Sequence, residues 1–334
     1  MTTLAKHWFE FLRRPRSLKF LLTFALLAAL GSMIDWGQVA ATAINARPIW
    51  LVAAAGFILL AYLVIAWRWM KIMRVSANAP ERARRFRPVF VMVAAGFGFG
   101  AILPTSVGAD IARGALLHSR SVGQEQAAAS FIVSSLLLDR YTSVLGTILV
   151  AVIGSLIVGQ WTFASVLALA LIAIGGIAAL VVMQLDRLLG LVMRGPLGRF
   201  KFKLDMLIAE LRAPGMLRQG LSPAILISVL LAVVRTGIFV CMYRAFDVPV
   251  PLGLALFAIP VLLIALMIPV TIGGFGLREW LLVVIFSQAG VPAAVSVSVG
   301  LLFFVLQVLV SLPAMLVAIL ARSEVSSNSS AKES

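Results

Sequence analysis

Seven charged residues stand in or beside long apolar stretches: Asp110, Arg113, Asp139, Arg140, Arg235, Arg278 and Glu279. Arginine's planar fork donates two parallel hydrogen bonds and keeps its charge, so arginines that converge would hold an anionic group, above all a phosphate. The carboxylates beside them would orient the arginines, close a gate, or serve as a general base. A plainer reading keeps Asp139-Arg140 and Arg278-Glu279 as ion pairs that merely hold helices. Burying such groups among apolar helices costs about 3 kcal/mol each on insertion scales, so each must pair or face a watery cavity. Metal and cofactor chemistry is not expected. The two histidines, His7 and His118, lie far apart, and the single Cys241 sits in an apolar run, which reads as an inert buried thiol.

The elements that position these residues follow from composition. Of 334 residues, 62% are hydrophobic and 12% charged, with a net charge of +15. A soluble globular enzyme and a disordered protein are both excluded. The basic excess points to a bilayer and not to nucleic acid, because Lys and Arg gather in cytoplasmic loops. Runs of about 20 apolar residues span a membrane. Residues 18–34, 49–67, 127–158, 163–183, 222–246 and 293–320 qualify. The runs 89–103 and 252–268 are too short; the first carries Gly96, Gly98 and Gly100 and stops at Pro104, and the second is broken by Pro260 and stops at Pro269.

Three segments are basic: 1–19 with five Lys/Arg, 68–88 with seven and 184–221 with seven, whereas 35–48 and 159–162 together carry one, Arg47. The positive-inside rule places the three basic segments in the cytoplasm. The chain must then cross an even number of times between the last two. Three apolar runs lie there, so the short 89–103 is expected to be re-entrant, which is tolerated only where protein or a cavity surrounds it. The N-terminus reads as an uncleaved signal anchor, 200–212 as a helix lying on the membrane surface, and the Ser-rich end as a disordered tail.

An offset of 165 residues lays Pro104-Thr-Ser-Val-Gly108 on Pro269-Val-Thr-Ile-Gly273 and Arg113 on Arg278. Each half would hold three spanning helices and one re-entrant hairpin, and an odd number of crossings inverts the second half. Transporters built this way keep their sites where paired Gly/Pro-interrupted segments meet near the midplane. The expected fold is an all-α integral membrane protein with an inverted-topology repeat, about six full spans and two re-entrant hairpins, against a hydropathy count of about eight. The expected units are a basic N-terminus 1–17, a first repeat 18–158, a second repeat 159–320 containing the loop 184–221, and a tail 321–334, with both termini cytoplasmic. Hinges fall at Pro104, Gly108, Pro269, Gly273, Gly274 and Gly276, and the glycines let backbone approach a ligand. Gly273-Gly-Phe-Gly276 is no nucleotide loop, since no strand precedes it and no Lys-Ser/Thr follows.

Three blocks carry a resemblance: Leu103-Pro-Thr-Ser-Val-Gly-Ala-Asp-Ile-Ala-Arg113, Leu138-Asp-Arg140 and Pro269-Val-Thr-Ile-Gly-Gly-Phe-Gly-Leu-Arg-Glu279, joined by Arg68-Trp69. They resemble the lysylphosphatidylglycerol synthase transmembrane-region family, also called flippase-like or uncharacterised protein family 0104, over roughly 15–322. Many relatives have Gly where this chain has Ala109. The resemblance implies a stand-alone inner-membrane member without the aminoacyl-transferase domain. In full-length synthases this region is associated with flipping an aminoacylated phospholipid, and other relatives are linked to hopanoid or polyprenyl-phosphate lipids.

The leading expectation is a flippase-like transporter of an anionic lipid or polyprenyl-phosphate-type intermediate. Arg113, Arg278, Arg140 and Arg235 would bind phosphate; Asp110, Asp139 and Glu279 would orient or gate. No ATPase motif is visible, so movement would be passive, ion-coupled or driven by a partner. The alternatives are an accessory protein that holds a lipid intermediate for a lipid-synthesis enzyme, and a membrane-embedded transferase using Asp110 or Glu279 as base. The transferase is weakest because no acidic cluster or His-acid pair accompanies those carboxylates.

Overall fold

The computed structural model describes residues 23, 32, 36–76, 79–102, 108–118, 125–192, 215–267, 271 and 274–333, and all regular structure among them is helical. The helices are α1 (Trp36–Ile44), α2 (Pro48–Val75), α3 (Phe86–Ile102), α4 (Gly108–His118), α5 (Glu125–Ile157), α6 (Trp161–Val192), α7 (Ser222–Ala245), α8 (Leu252–Met267), α9 (Leu277–Ser287) and α10 (Ala293–Glu333). A 3-10 turn at Glu81–Arg84 links α2 to α3, and a π-helical turn at Met216–Leu221 leads into α7.

Among the described residues, four stretches are long and apolar enough to cross a membrane: Pro48–Val75, Phe131–Ile157, Arg218–Ala245 and Ala293–Ala321. The chain is an all-α integral membrane protein. The run expected at 18–34, apart from residues 23 and 32, lies outside the described residues, as do the surface helix at 200–212, His7 and the hinges Pro104, Pro269 and Gly273. One face of α2 is buried through Ile58, Tyr62, Ile65, Trp69 and Met73, at the three- and four-residue spacing of a helix stripe. Its opposite face exposes Ile49, Val52, Leu59, Leu60 and Trp67, apolar as a lipid-facing surface must be.

The packing pairs respect an exchange of halves. Under α1↔α6, α2↔α7, α3↔α8, α4↔α9 and α5↔α10, the pair α3–α10 becomes α8–α5, α3–α4 becomes α8–α9, α4–α5 becomes α9–α10, and α1–α10 becomes α6–α5. The α2–α7 pair maps onto itself. The 165-residue offset carries the bounds of α3 to 251 and 267, against the observed 252 and 267. The two halves are therefore one packing plan used twice.

Each pair of short helices is a hairpin that starts and finishes at one end of the bundle. Leu116 and Leu117, at the end of α4, line the same cavity as Arg87 and Pro88, at the start of α3, and as Val317 near the end of α10. The second hairpin is tied to the other end. Arg47 N–H donates to Ala245 O at 2.8 Å, Gly253 at the start of α8 lies against Ile157 at the end of α5, and Phe286 at the end of α9 packs on Tyr243 with ring centroids 4.6 Å apart.

Three expectations change. Pro260 does not break its run: α8 continues through it. Proline frees the carbonyl four residues back, here Leu256, and Gly154 of α5 lies directly over that carbonyl, where a Cβ would collide. Packed protein thus tolerates what an isolated helix would not. The Ser-rich end, expected as disordered, continues α10 to Glu333; no Gly or Pro follows Pro313 to stop it. Finally, α2 extends past Trp67 to Val75 and takes Arg68 with it.

Candidate functional site

Arg68 and Trp69 both turn inward from α2. Trp69 Nε1 donates to Ser135 Oγ at 3.2 Å, which fixes α2 against α5. One turn along α5, Asp139 is 1% exposed and receives two arginines: Arg68 Nε on Oδ1 at 2.8 Å and Arg113 Nη2 on Oδ2 at 2.7 Å. Arg68 Nη1 also donates to Ser228 Oγ of α7 at 2.9 Å. The chain of charges continues outward. Arg113 Nη2 meets Asp110 Oδ1 at 2.6 Å, and Arg140 Nε donates to Asp110 Oδ2 at 2.5 Å. Arg113 further stacks over Trp69, 4.8 Å from the ring centroid, while its Nε is buried without a hydrogen-bond partner. A single buried ion pair rarely recovers its desolvation cost. A carboxylate shared by two guanidiniums fares better, because each charge keeps a partner.

The hairpin that carries Asp110 and Arg113 is built on close approach. A Cβ at Gly100 would strike the backbone of Ala109, so α3 and α4 touch backbone to backbone there. The glycine sits on α3, so α4 accepts alanine at 109.

The second half supplies a different partner set. Gly276 takes φ 77°, a left-handed conformation that lets the chain turn into α9. Glu279 then caps that helix, its Oε2 accepting from Gly276 N–H at 2.8 Å. Its Oε1 accepts from Arg278 Nε at 2.9 Å and Nη2 at 2.6 Å. The Arg278 guanidinium lies 5.6 Å from the Phe275 centroid and 5.3 Å from that of Phe303. Such cation–π contacts stabilise a desolvated arginine without neutralising it.

These groups surround one cavity of about 270 Å³. Arg68, Arg113, Arg140, Arg235 and Arg278 all line it, with Asp110 and Asp139; Glu279 sits behind Arg278. Five arginines thus face three carboxylates, an excess of two positive charges. Arg235, in the middle of α7, makes no ion pair or hydrogen bond among the described residues. The wall from α8 and α10 is apolar: Leu263, Leu266, Met267, Phe303 and Phe304.

Of the seven charged residues read from the sequence, six line this cavity and the seventh supports one of them. Asp139 pairs with Arg68 and Arg113, not with its neighbour Arg140. Arg278 does pair with its neighbour Glu279. The hinges Gly108 and Gly274 also line the cavity. Arg68, counted by sequence in the basic segment 68–88 and at the end of the second helix, lies well inside α2 and lines the cavity, a role that sequence reasoning missed. The signal lay in the residues after it, since Trp69, Met70, Ile72 and Met73 prolong the apolar stripe and keep Arg68 inside the span. Cys241 is buried, as its surroundings imply.

The family profile described as Lysylphosphatidylglycerol synthase TM region matches residues 17–314. The chain belongs to that family. The match takes in both hairpins, the whole charge network and the cavity walls. No curated protein and no solved structure matches the chain. Within the Lysylphosphatidylglycerol synthase TM region family, this member's cavity is set by the arginine network just described.

Proposed function

We propose that the protein is a flippase-like transporter that holds the phosphate-bearing head group of an anionic lipid in the central cavity and carries it across the inner membrane. The observation behind this reading is the excess of two positive charges, including the unpaired Arg235, opposite an apolar aromatic wall. A phosphate diester or monoester carries one or two negative charges and would complete the balance. The apolar wall suits the start of its hydrocarbon chains. No covalent step is assigned, because Asp110, Asp139 and Glu279 are each bonded to an arginine and none is left free as a base. In a bilayer the two short hairpins would be re-entrant, the first from the cytoplasmic side and the second from outside, with both termini cytoplasmic. Membership of a lipid-linked family supports the substrate class.

The test is transport of labelled phosphatidylglycerol, and separately of a polyprenyl phosphate, by purified protein in proteoliposomes. The wild type should move one of them between leaflets, and Arg235→Gln should slow it while leaving the fold intact. Binding without movement would replace transport by an accessory, lipid-holding role. A covalently altered lipid would overturn both.

A further inference from the structure

A second cavity, of about 560 Å³, lies at the end of the bundle where α2 gives way to α3, and it shares no lining residue with the first. One rim is basic, formed by Arg82, Arg85 and Arg87. The remaining wall is apolar, formed by Val91 and Met92 of α3, Leu116 and Leu117 of α4, and Val317 of α10. We propose that this cavity holds one molecule of an anionic phospholipid, its phosphate on the arginine rim and an acyl chain along the apolar wall.

The rim is held in place before any ligand arrives. Arg74, in the last turn of α2, donates from Nε and Nη2 to Arg84 O at 3.1 and 2.7 Å. Ala83 is fully buried beneath the turn, and its N–H donates to Pro80 O at 2.9 Å. Arg85 is paired with Glu81. Arg82 and Arg87 are exposed and make no ion pair among the described residues, so two guanidiniums are available for one phosphate. Basic pockets between membrane helices at head-group level recognise anionic lipids in this way. The apolar side decides for a lipid over a free phosphate ester. It continues onto the outer face of α10, where Leu316 and Val317 are exposed, so a chain can lie along the helix.

The site does not depend on transport through the central cavity. It does touch the same machinery, because Leu116 and Leu117 sit on the helix that carries Asp110 and Arg113. A lipid wedged there braces α4 between α3 and α10.

The experiment uses the full chain, delipidated in mild detergent, with thermal unfolding and native mass spectrometry as readouts. Phosphatidylglycerol should raise the unfolding temperature and leave one lipid bound even in Arg278→Ala, whose central site is disabled, whereas phosphatidylcholine and glycerol phosphate should do neither. Arg82→Gln/Arg87→Gln should bind phosphatidylglycerol about 30-fold more weakly, since each basic residue near an anionic lipid surface contributes about fivefold. Val317→Trp, which fills the apolar wall and leaves the arginines alone, should also lose the retained lipid. Arg278→Ala, in the central cavity, should keep it. Undiminished binding by the double arginine variant would overturn the proposal. So would an equal effect of phosphatidylcholine, full stabilisation by glycerol phosphate, or loss of the lipid in Arg278→Ala.

Discussion

Asp139→Ala tests whether the buried charges are one coupled network. The substitution removes the carboxylate shared by Arg68 and Arg113, whose side chains are 3% and 4% exposed. Arg113 would keep Asp110, but Arg68 would keep only the hydroxyl of Ser228. Removing one partner of a buried pair costs about 3–5 kcal/mol, because the other charge stays desolvated. Arg140→Ala is the control. Its pair with Asp110 is about a third exposed on the arginine side, where solvent screening limits the loss to about 1 kcal/mol or less. Unfolding of purified protein, followed by tryptophan fluorescence, should rank wild type and Arg140→Ala close together and Asp139→Ala well below. Adding Arg68→Met to Asp139→Ala should recover stability, since the stranded cation goes with it, and the resulting cycle measures the coupling directly. If Asp139→Ala unfolds together with Arg140→Ala, Asp139 is not the anchor of the network.

Arg278→Lys should hold lipid in the central cavity much more weakly than its retained charge implies, and Arg278→Ala should hold none there, because lysine lacks the planar fork; lipid transport, which reads the central cavity alone, with unfolding as a fold control decides it. Gly100→Val should destabilise by about 1–3 kcal/mol or prevent folding, as overpacking does, since its Cβ meets the Ala109 backbone, whereas Gly175→Ala, with open space around it, should stabilise by up to about 1 kcal/mol through helix propensity; thermal unfolding separates the two. An impermeant thiol reagent added outside whole cells should label Asn45→Cys and not Arg84→Cys, with buried Cys241 silent; the reverse pattern would overturn the cytoplasmic placement of the 3-10 turn.

Hydropathy made the helices legible, because a span needs only length and apolarity, and the 165-residue offset made the doubled packing plan legible through Arg113 and Arg278. What it could not read was direction. Arg68 and Arg74 stand six residues apart near the end of α2, yet Arg68 turns inward to Asp139 while Arg74 reaches out to a loop carbonyl. Helix phase and the position of α5 decide this, and neither is written in a residue count. The same gap explains Asp139. Its neighbour in sequence, Arg140, points elsewhere, and its partners come from residues 71 and 26 positions away. Pro260 failed as a breaker for a related reason, since the carbonyl it frees is covered by a glycine on another helix.

The two halves share a backbone plan but not a charge pattern, and that difference bears on what the cavity accepts. At the repeat offset Arg113 corresponds to Arg278, whereas Asp110 corresponds to Phe275 and Asp139 to Phe304. Where the first half places two carboxylates on its arginine, the second places two rings in edge contact, 4.8 Å apart, and the Phe275 ring faces Arg278. Arg113 is consequently neutralised twice over by Asp110 and Asp139. Arg278 has one carboxylate and aromatic faces, which leave more of its field directed into the cavity, and Arg235 has no carboxylate partner among the described residues. On the reading proposed above, an incoming phosphate would gain most from Arg278 and Arg235 and little from Arg113. A ligand with one charged and one apolar end has only one orientation that satisfies both walls, whereas the doubled backbone gives it two related hairpins at opposite ends of the bundle.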